Sequence, residues 1–196
     1  MDSVRVMSLR DDATATLTSR MPARLDPPMA FRDAFAALFD AHFPRLFRFL
    51  DRLSGEPELA ADLAQEAFVK LYRRGSLPDA PEAWLISVAM NLFRNVKASR
   101  SRRRRLLTVS RGARAHSDPP PAPDEGCERA EARRRVRNVL DGMTERERSL
   151  LLLRAEGYSY RDIAVSLRLN EASVGVLLAR AKEAFRASYE DAFDAP

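Results

Sequence analysis

Between Thr144 and Lys182 the chain carries three helix-start signals within thirty-nine residues, a density that leaves room only for helical segments separated by tight turns. Thr144-Glu145-Arg146-Glu147 has the form of a capping box: the Thr hydroxyl and the Glu carboxylate satisfy free amide donors ahead of the apolar run Leu150 to Leu153. Gly157 offers a left-handed stop. Ser159-Tyr160-Arg161-Asp162 repeats the box and opens a short helix with Ile163, Ala164 and Leu167 inward. Asn170 then caps another helix, on which Val174, Leu178, Ala181 and Phe185 follow at helical spacing. Two helices three or four residues apart predict a helix-turn-helix, a unit that commonly reads double-stranded DNA.

The outer face of that last helix is poor in base readers. With Val174 and Leu178 facing a core, a turn of about 100° per residue directs Ala172, Val176, Ala179, Arg180 and Glu183 outward, with Ser173 and Gly175 on the flanks. Major-groove readout relies on Arg, Lys, Asn or Gln paired to base edges, and Arg180 is the one strong candidate in that outer set. The stretch from Thr144 to Glu190 holds eight basic and seven acidic residues, so its field is weak as well.

Upstream, the pattern is helical again. Residues 1–28 lack helical periodicity and are expected to form a disordered arm. Phe31, Phe35, Leu38 and Phe39 predict a helix leading to Pro44, which suits the first turn of a second helix carrying Leu46, Phe47, Leu50 and Leu53 and ending at Gly55. Pro57 starts a third helix through about Arg74, and Pro81 opens a long fourth on Trp84, Leu85, Val88, Ala89, Leu92 and Val96. Residues 107–127 include Pro119, Pro120, Pro121 and Pro123 and read as a flexible linker, which spans roughly 70 Å when extended at ~3.1 Å per residue. The expected fold is therefore all-α: two small helical domains, 29–106 and 128–190, joined by a Pro-rich linker and followed by a tail, 191–196. No strand-like alternation or nucleotide-binding glycine motif interrupts it.

Charge divides the first domain. Residues 30–80 hold seven basic and eight acidic residues, whereas residues 81–106 hold seven basic and one acidic. The fourth helix is thus the polyanion face: Arg94, Lys97, Arg100 and the run Arg102 to Arg105 suit phosphates, and Asn91, with Trp84 and Phe93 wherever these are exposed, suits bases. Packing in a core is the competing role for Trp84 and Phe93. The third helix instead carries Glu58, Asp62 and Glu66 at i, i+4 spacing, with no basic residue between Glu56 and Glu66. An acidic stripe repels DNA and is better suited to a basic protein surface, unless it is merely solvated.

The remaining composition excludes several classes. A single cysteine, Cys127, rules out an internal disulfide and a multi-cysteine zinc site, in keeping with a reducing cytoplasm. His42 and His116 lack partners at metal spacing, so neither metal nor cofactor is expected. No apolar run approaches the roughly 18 residues of a membrane span. No nucleophile-base set or carboxylate pair marks a catalytic centre.

These segments resemble the sigma-70 family of bacterial RNA polymerase sigma factors, in its short extracytoplasmic-function type with only regions 2 and 4. Asp62-Leu63-Ala64-Gln65-Glu66-Ala67-Phe68 resembles the Asp-x-x-Gln-Glu-x-Phe segment that docks on the clamp helices of the largest polymerase subunit. Ala83-Trp84-Leu85, continuing through Ala89 and Asn91 into the basic stretch, is similar to the helix that melts and reads the minus-10 element. Ser159 to Ala164, Ser173-Val174 and Arg180-Ala181 are similar to region 4, which binds the minus-35 element and the polymerase flap. The resemblance implies polymerase binding by Asp62, Gln65, Glu66 and Phe68. It implies minus-10 contacts by Arg74, Ser76 and Asp79 of the loop after the third helix, and by Asn91, Arg94, Lys97 and Arg100. Minus-35 contacts fall to Arg161, Asn170, Ser173 and Arg180. Core RNA polymerase and promoter DNA are the implied partners, with an anti-sigma factor as a further candidate. The chain departs from the family at Met90, where Arg is frequent, and at Gly175 and Leu177, where Lys and Arg are. Two other readings of the residues stay open: a stand-alone helix-turn-helix regulator, and a polymerase-interacting protein whose C-terminal domain mainly binds protein.

Overall fold

The computed structural model describes residues 28–108 and 127–194, so most of the expected arm and linker lies outside the described residues. Seven helices account for the described regular structure: α1 (Met29–Ser54), α2 (Pro57–Arg74), α3 (Pro81–Thr108), α4 (Cys127–Gly142), α5 (Glu145–Ala155), α6 (Tyr160–Leu167) and α7 (Glu171–Asp194). The all-α expectation holds. Helix α7 continues to Asp194, through residues expected to form the start of a tail.

The first two expected helices are one. Pro44 lies inside α1, which runs unbroken for 26 residues. A proline removes its own amide donor and crowds the carbonyl four residues earlier, at a cost of about 3 kcal/mol. Asp40, Ala41 and Pro44 are all exposed, so water reaches the backbone group left free. On the opposite side Leu46, Phe49, Leu50 and Leu53 are buried and Phe35, Phe39 and Phe43 pack against the core, an apolar stripe that crosses the proline without interruption. Burying several such side chains at about 1.5–3 kcal/mol each outweighs the break.

Helix α2 packs along α1 through Ala60, Leu63, Ala64, Ala67, Phe68 and Leu71, all buried. Phe68 joins the two helices through three aromatic contacts: its ring meets Phe39 edge-on with centroids 5.0 Å apart, Phe35 edge-on at 6.1 Å and Phe43 at 5.9 Å. Gly55 closes α1 in the left-handed conformation with φ 73°, its amide donating to Asp51 O at 2.7 Å. A Cβ there lies 3.0 Å from Arg137 Nη1, so glycine answers both the dihedral and the close approach.

The C-terminal helices form by the signals read from the sequence. Thr144 Oγ1 accepts from the Glu147 amide at 3.3 Å, and the Glu147 carboxylate accepts from the Thr144 amide at 3.1 Å, completing the capping box. Ser159 Oγ accepts from the Asp162 amide at 3.1 Å, but the Asp162 carboxylate accepts from the Ser159 hydroxyl, so the second box is not reciprocal through the backbone. Asn170 Oδ1 accepts from the Ala172 amide at 3.0 Å and starts α7.

The two halves share one core. The two small helical domains expected from the sequence pack on one another: α3 lies against α6 and α1 against α5, and a single apolar cluster runs from Leu46 through Ile86 to Ile163 and Leu178. The sequence marks an apolar face on each helix and cannot say which element covers it.

Phe68→Ala is expected to lower unfolding free energy by about 3–5 kcal/mol through the cavity left among three rings. Urea unfolding followed by circular dichroism checks it; a loss below about 1 kcal/mol would place the ring outside the core.

Candidate polymerase and nucleic-acid interface

Three surfaces carry the residues singled out from the sequence. On α2, the face opposite the buried stripe presents Glu58, Asp62 and Gln65 to solvent, and Glu66 is half-buried with Oε1 3.4 Å from Lys70 Nζ. Phe68, grouped with these from the sequence, is only 2% exposed. It fixes the helix that carries the acidic face and does not itself meet a partner: that assignment is corrected.

After α2, Gly75 turns the chain with φ 74° and its amide donates to Tyr72 O at 3.0 Å. Arg74, Ser76 and Asp79 of this loop are exposed, and Leu77 beside them is partly so. The loop ends where Pro81 opens α3. Asn91, Arg94 and Lys97 recur every three residues along α3 and are exposed, followed by the exposed run Arg100 to Arg105. Arg94 and Arg100 are among those engaged within the chain. Arg94 Nε donates to Glu145 Oε1 of α5 at 2.7 Å. Arg100 holds the Glu56 carboxylate in a two-pronged contact, Nη1 to Oε1 and Nη2 to Oε2, the latter at 2.9 Å; that hydrogen bonding raises the guanidinium's already high pKa.

Trp84 packs partly buried against the core and Phe93 is buried, so the core role wins for Phe93, while Asn91 is exposed on α3. Met90 is 1% exposed. Its departure from the family's frequent Arg therefore lies in the packing of α3 and takes nothing from the exposed basic residues of that helix.

The helix-turn-helix is α6 and α7, joined by Arg168, Leu169 and Asn170. Arg168 adopts φ 56°, and the Leu169 amide reaches Ala164 O at 2.8 Å, a helix-end bond that keeps a non-glycine residue in the left-handed region. Val174, Leu178 and Ala181 are buried, while Ala172, Ser173, Val176, Ala179, Arg180 and Glu183 are exposed, as the helical spacing requires. Val176 is 57% exposed and Gly175 leaves its open side to the Tyr160 ring, 3.6 Å from a Cβ placed there. Arg161 is exposed; the Asn170 carbonyl group is occupied as a cap.

Sequence reasoning missed a fourth cluster. Tyr158 follows the left-handed Gly157, donates its amide to Leu153 O at 3.1 Å, and is 2% exposed. The Arg45 guanidinium of α1 lies 3.7 Å from the centre of its ring. Glu156, one residue before Gly157, is met by Arg48 Nε at 2.9 Å and Arg52 Nη1 at 2.7 Å. A signal for Tyr158 was present, since an apolar residue just after a helix-stop glycine commonly packs back on the last turn. None marked its arginine partners.

Residues 38–105 match the family described as Sigma-70 region 2, and residues 133–185 that described as Sigma-70, region 4. The RNA polymerase sigma-H factor of Pseudomonas aeruginosa is 30% identical over 164 residues, 77% of this chain and 83% of that protein. The ECF RNA polymerase sigma factor SigX of Bacillus subtilis is 28% identical over 150 residues, 72% of this chain and 76% of its own. Among solved structures, the sigma factor RpoE of Bartonella quintana, in complex with the anti-sigma factor NepR, superposes with a TM-score of 0.61 at 21% identity, covering 81% of this chain and 98% of that one. CnrH in complex with the cytosolic domain of CnrY gives 0.58 at 19% identity, covering 82% and 90%.

Burial pushes the Tyr158 phenol well above its ordinary value near 10, with Arg45 pulling the other way. The folded state holds the neutral phenol, so this contribution to stability is complete below pH ~10 and is lost as pH rises through the raised folded value. In an alkaline titration followed by tyrosinate absorbance, Tyr158→Phe is expected to remove a late step that coincides with loss of structure; an unchanged titration would contradict the buried phenol.

Proposed function

The chain belongs to the sigma-70 family of RNA polymerase sigma factors, extracytoplasmic-function type, and from that premise we propose how its helices divide the work of transcription initiation. It binds core RNA polymerase and directs promoter recognition, melting and initiation. Asp62, Gln65 and Glu66 dock on the clamp helices of the largest subunit. Arg74, Ser76 and Asp79 border the pocket for an unpaired minus-10 base, and Asn91, Arg94, Lys97 and Arg100 follow the melted strand. A base must leave the stack before its pairing edge is read, at a cost of a few kcal/mol, which polymerase docking and the basic helix together offset. The observation that carries this reading is the opposition of charge: the solvent face of α2 is acidic at Glu58 and Asp62, whereas that of α3 is basic from Arg94 to Arg105. One suits a protein surface and the other phosphates.

In the C-terminal half, Arg161, Asn170, Ser173 and Arg180 meet the minus-35 region, chiefly as phosphate and positioning contacts. The exposed Val176, between Ala172 and Ala179, favours a second role for this half against a protein such as the polymerase flap. The solved sigma factor RpoE is held by the anti-sigma factor NepR, and we assign this chain a partner of that class. Nucleotidyl transfer belongs to the polymerase, so the chain itself performs no catalytic step. No described helix is long and apolar enough to cross a membrane, and the cytoplasm, where polymerase works, is its proposed compartment.

Charge reversal at Asp62 and Glu66 is expected to weaken core-polymerase binding at least tenfold, about 1.4 kcal/mol; unchanged binding sinks the docking role. In transcription with purified core polymerase and a promoter library, scrambling the minus-35 element is expected to reduce output by less than about tenfold. A scrambled element that abolishes transcription, while Arg180→Ala leaves it intact, would overturn the account of α7.

A further inference from the structure

The outward face of α7 is a row of methyl groups. Ala172, Val176 and Ala179 fall at i, i+4 and i+7, on one side of the helix, and all three are exposed, Val176 at 57%. Val174, Leu178 and Ala181 occupy the opposite side and are buried, so the core holds the helix with this stripe turned away from it. At about 100° per residue, Ser173 and Arg180 border the stripe on one side and Gly175 on the other. The Tyr160 ring of α6 stands at the Gly175 edge, its Cε2 3.6 Å from a Cβ placed there, with the Arg154 guanidinium 5.4 Å from the ring centre. Leu177 packs against the core. The two positions where the family frequently has Lys and Arg are therefore turned to contacts within the chain.

Two kinds of surface could cover such a face, a protein or the major groove of DNA, and size separates them. Protein interfaces centre on large anchors, Trp, Tyr and Arg above all, each filling a pocket. A stripe one side chain wide, with a valine between two alanines, supplies no anchor of that kind. The major groove, about 12 Å wide, admits an α-helix whose first turns face the base edges. Ala172, Val176 and Ala179 lie in the first three turns of α7, and side chains this small let the helix backbone approach the bases closely. Donors and acceptors on the base edges find nothing to pair with in a methyl stripe. The 5-methyl group of thymine is the one group displayed there that an alkyl side chain can recognise. Ser173 and Arg180, both of the proposed minus-35 set, border the stripe and place it inside the same footprint.

We infer that Val176, with Ala172 and Ala179 beside it, selects thymine in the minus-35 element by packing on its 5-methyl group. The placement of α7 on that element follows from the sigma-factor reading; the preference for a methyl group follows from the stripe. 5-Methylcytosine carries its methyl group at the same ring position, so cytosine methylation strengthens binding through the same contact.

The test uses holoenzyme assembled from the full chain and core polymerase, and as probe the most strongly transcribed member of the promoter library. Each thymine of its minus-35 element is replaced in turn by deoxyuridine, which lacks only the methyl group. One such replacement is expected to lower affinity about fourfold, the equivalent of ~0.8 kcal/mol for one buried carbon. Cytosine at that position is expected to gain a similar factor when it is methylated at C5. Val176→Ala, a substitution at an exposed site, is expected to bind the thymine and deoxyuridine promoters equally and to match the native chain on the latter. If no deoxyuridine promoter binds more weakly than its parent, or if the selected element holds no thymine on either strand, thymine selection is overturned. Val176→Ala weakening both promoters alike overturns it too, by placing the side chain against protein. A native chain that forms no holoenzyme refutes the sigma-factor reading itself, a failure seen before any promoter is added.

Discussion

Arg45 joins three parts of the molecule through one side chain. Its guanidinium covers the Tyr158 ring at 3.7 Å, its Nε reaches the Glu156 carbonyl at 2.7 Å, and its Nη1 faces Glu82 at 3.4 Å, so α1, α3 and the turn between α5 and α6 meet around one side chain. Such a site asks for arginine. A planar, delocalised cation stacks on an aromatic face while its edge donates to oxygen, and an ammonium group has no comparable flat surface. Gly157, just before Tyr158, turns the chain with φ 82°, a left-handed conformation that glycine adopts without steric cost. Because the partners are helix ends and turns, the contact sets how the two halves are oriented, whereas the apolar cluster beneath supplies most of the burial.

Around this junction, burial on one side of each helix decides what the other side offers. Helix α2 gives its small and aromatic residues to α1, including Ala60, Ala64, Ala67 and Phe68, which brings the helices close and leaves Glu58 and Asp62 in water. Helix α3 does the same with Leu85, Ile86, Ala89, Met90 and Phe93, leaving Asn91, Arg94 and Lys97 outside. The two exposed faces differ in sign, so each repels the partner of the other. Glu56 at the start of α2 tempers the contrast by holding Arg100, and Glu145 does so for Arg94. Arg94 and Arg100 of α3 are therefore paired with carboxylates of the same chain.

Much of this was legible in the sequence because it depends on local chemistry. Prolines at helix starts, glycines at helix ends, the Thr144 box and the spacing of Val174, Leu178 and Ala181 all act within a turn or two of the chain, and each appears where the pattern placed it. The reading failed where local rules compete with packing. Pro44 looked like a helix start, and a continuous apolar stripe carried α1 through it. Arg168 takes the left-handed position that glycine usually marks, held there by the bond from the Leu169 amide to Ala164. Phe68 belonged to a motif of otherwise exposed residues, yet its neighbours in space are Phe35, Phe39 and Phe43, which are remote in sequence. The Glu156 cluster was invisible for the same reason: its partners lie 104 or more residues earlier, and no periodicity connects them.

The weak outer face of α7 takes on a different meaning beside that cluster. A helix-turn-helix that must find its site alone needs several paired base contacts, each worth about 1–3 kcal/mol of discrimination. One carried by a polymerase-bound partner domain arrives at an effective concentration in the millimolar range and needs far less. Val176 and Ala179 on the exposed face suit a helix that positions more than it reads. The α5 and α6 surfaces that meet α1 and α3 are taken up by that packing, which leaves the outer face of α7 exposed. On this account a recognition helix poor in Arg and Lys is consistent with a chain whose promoter selection waits for polymerase.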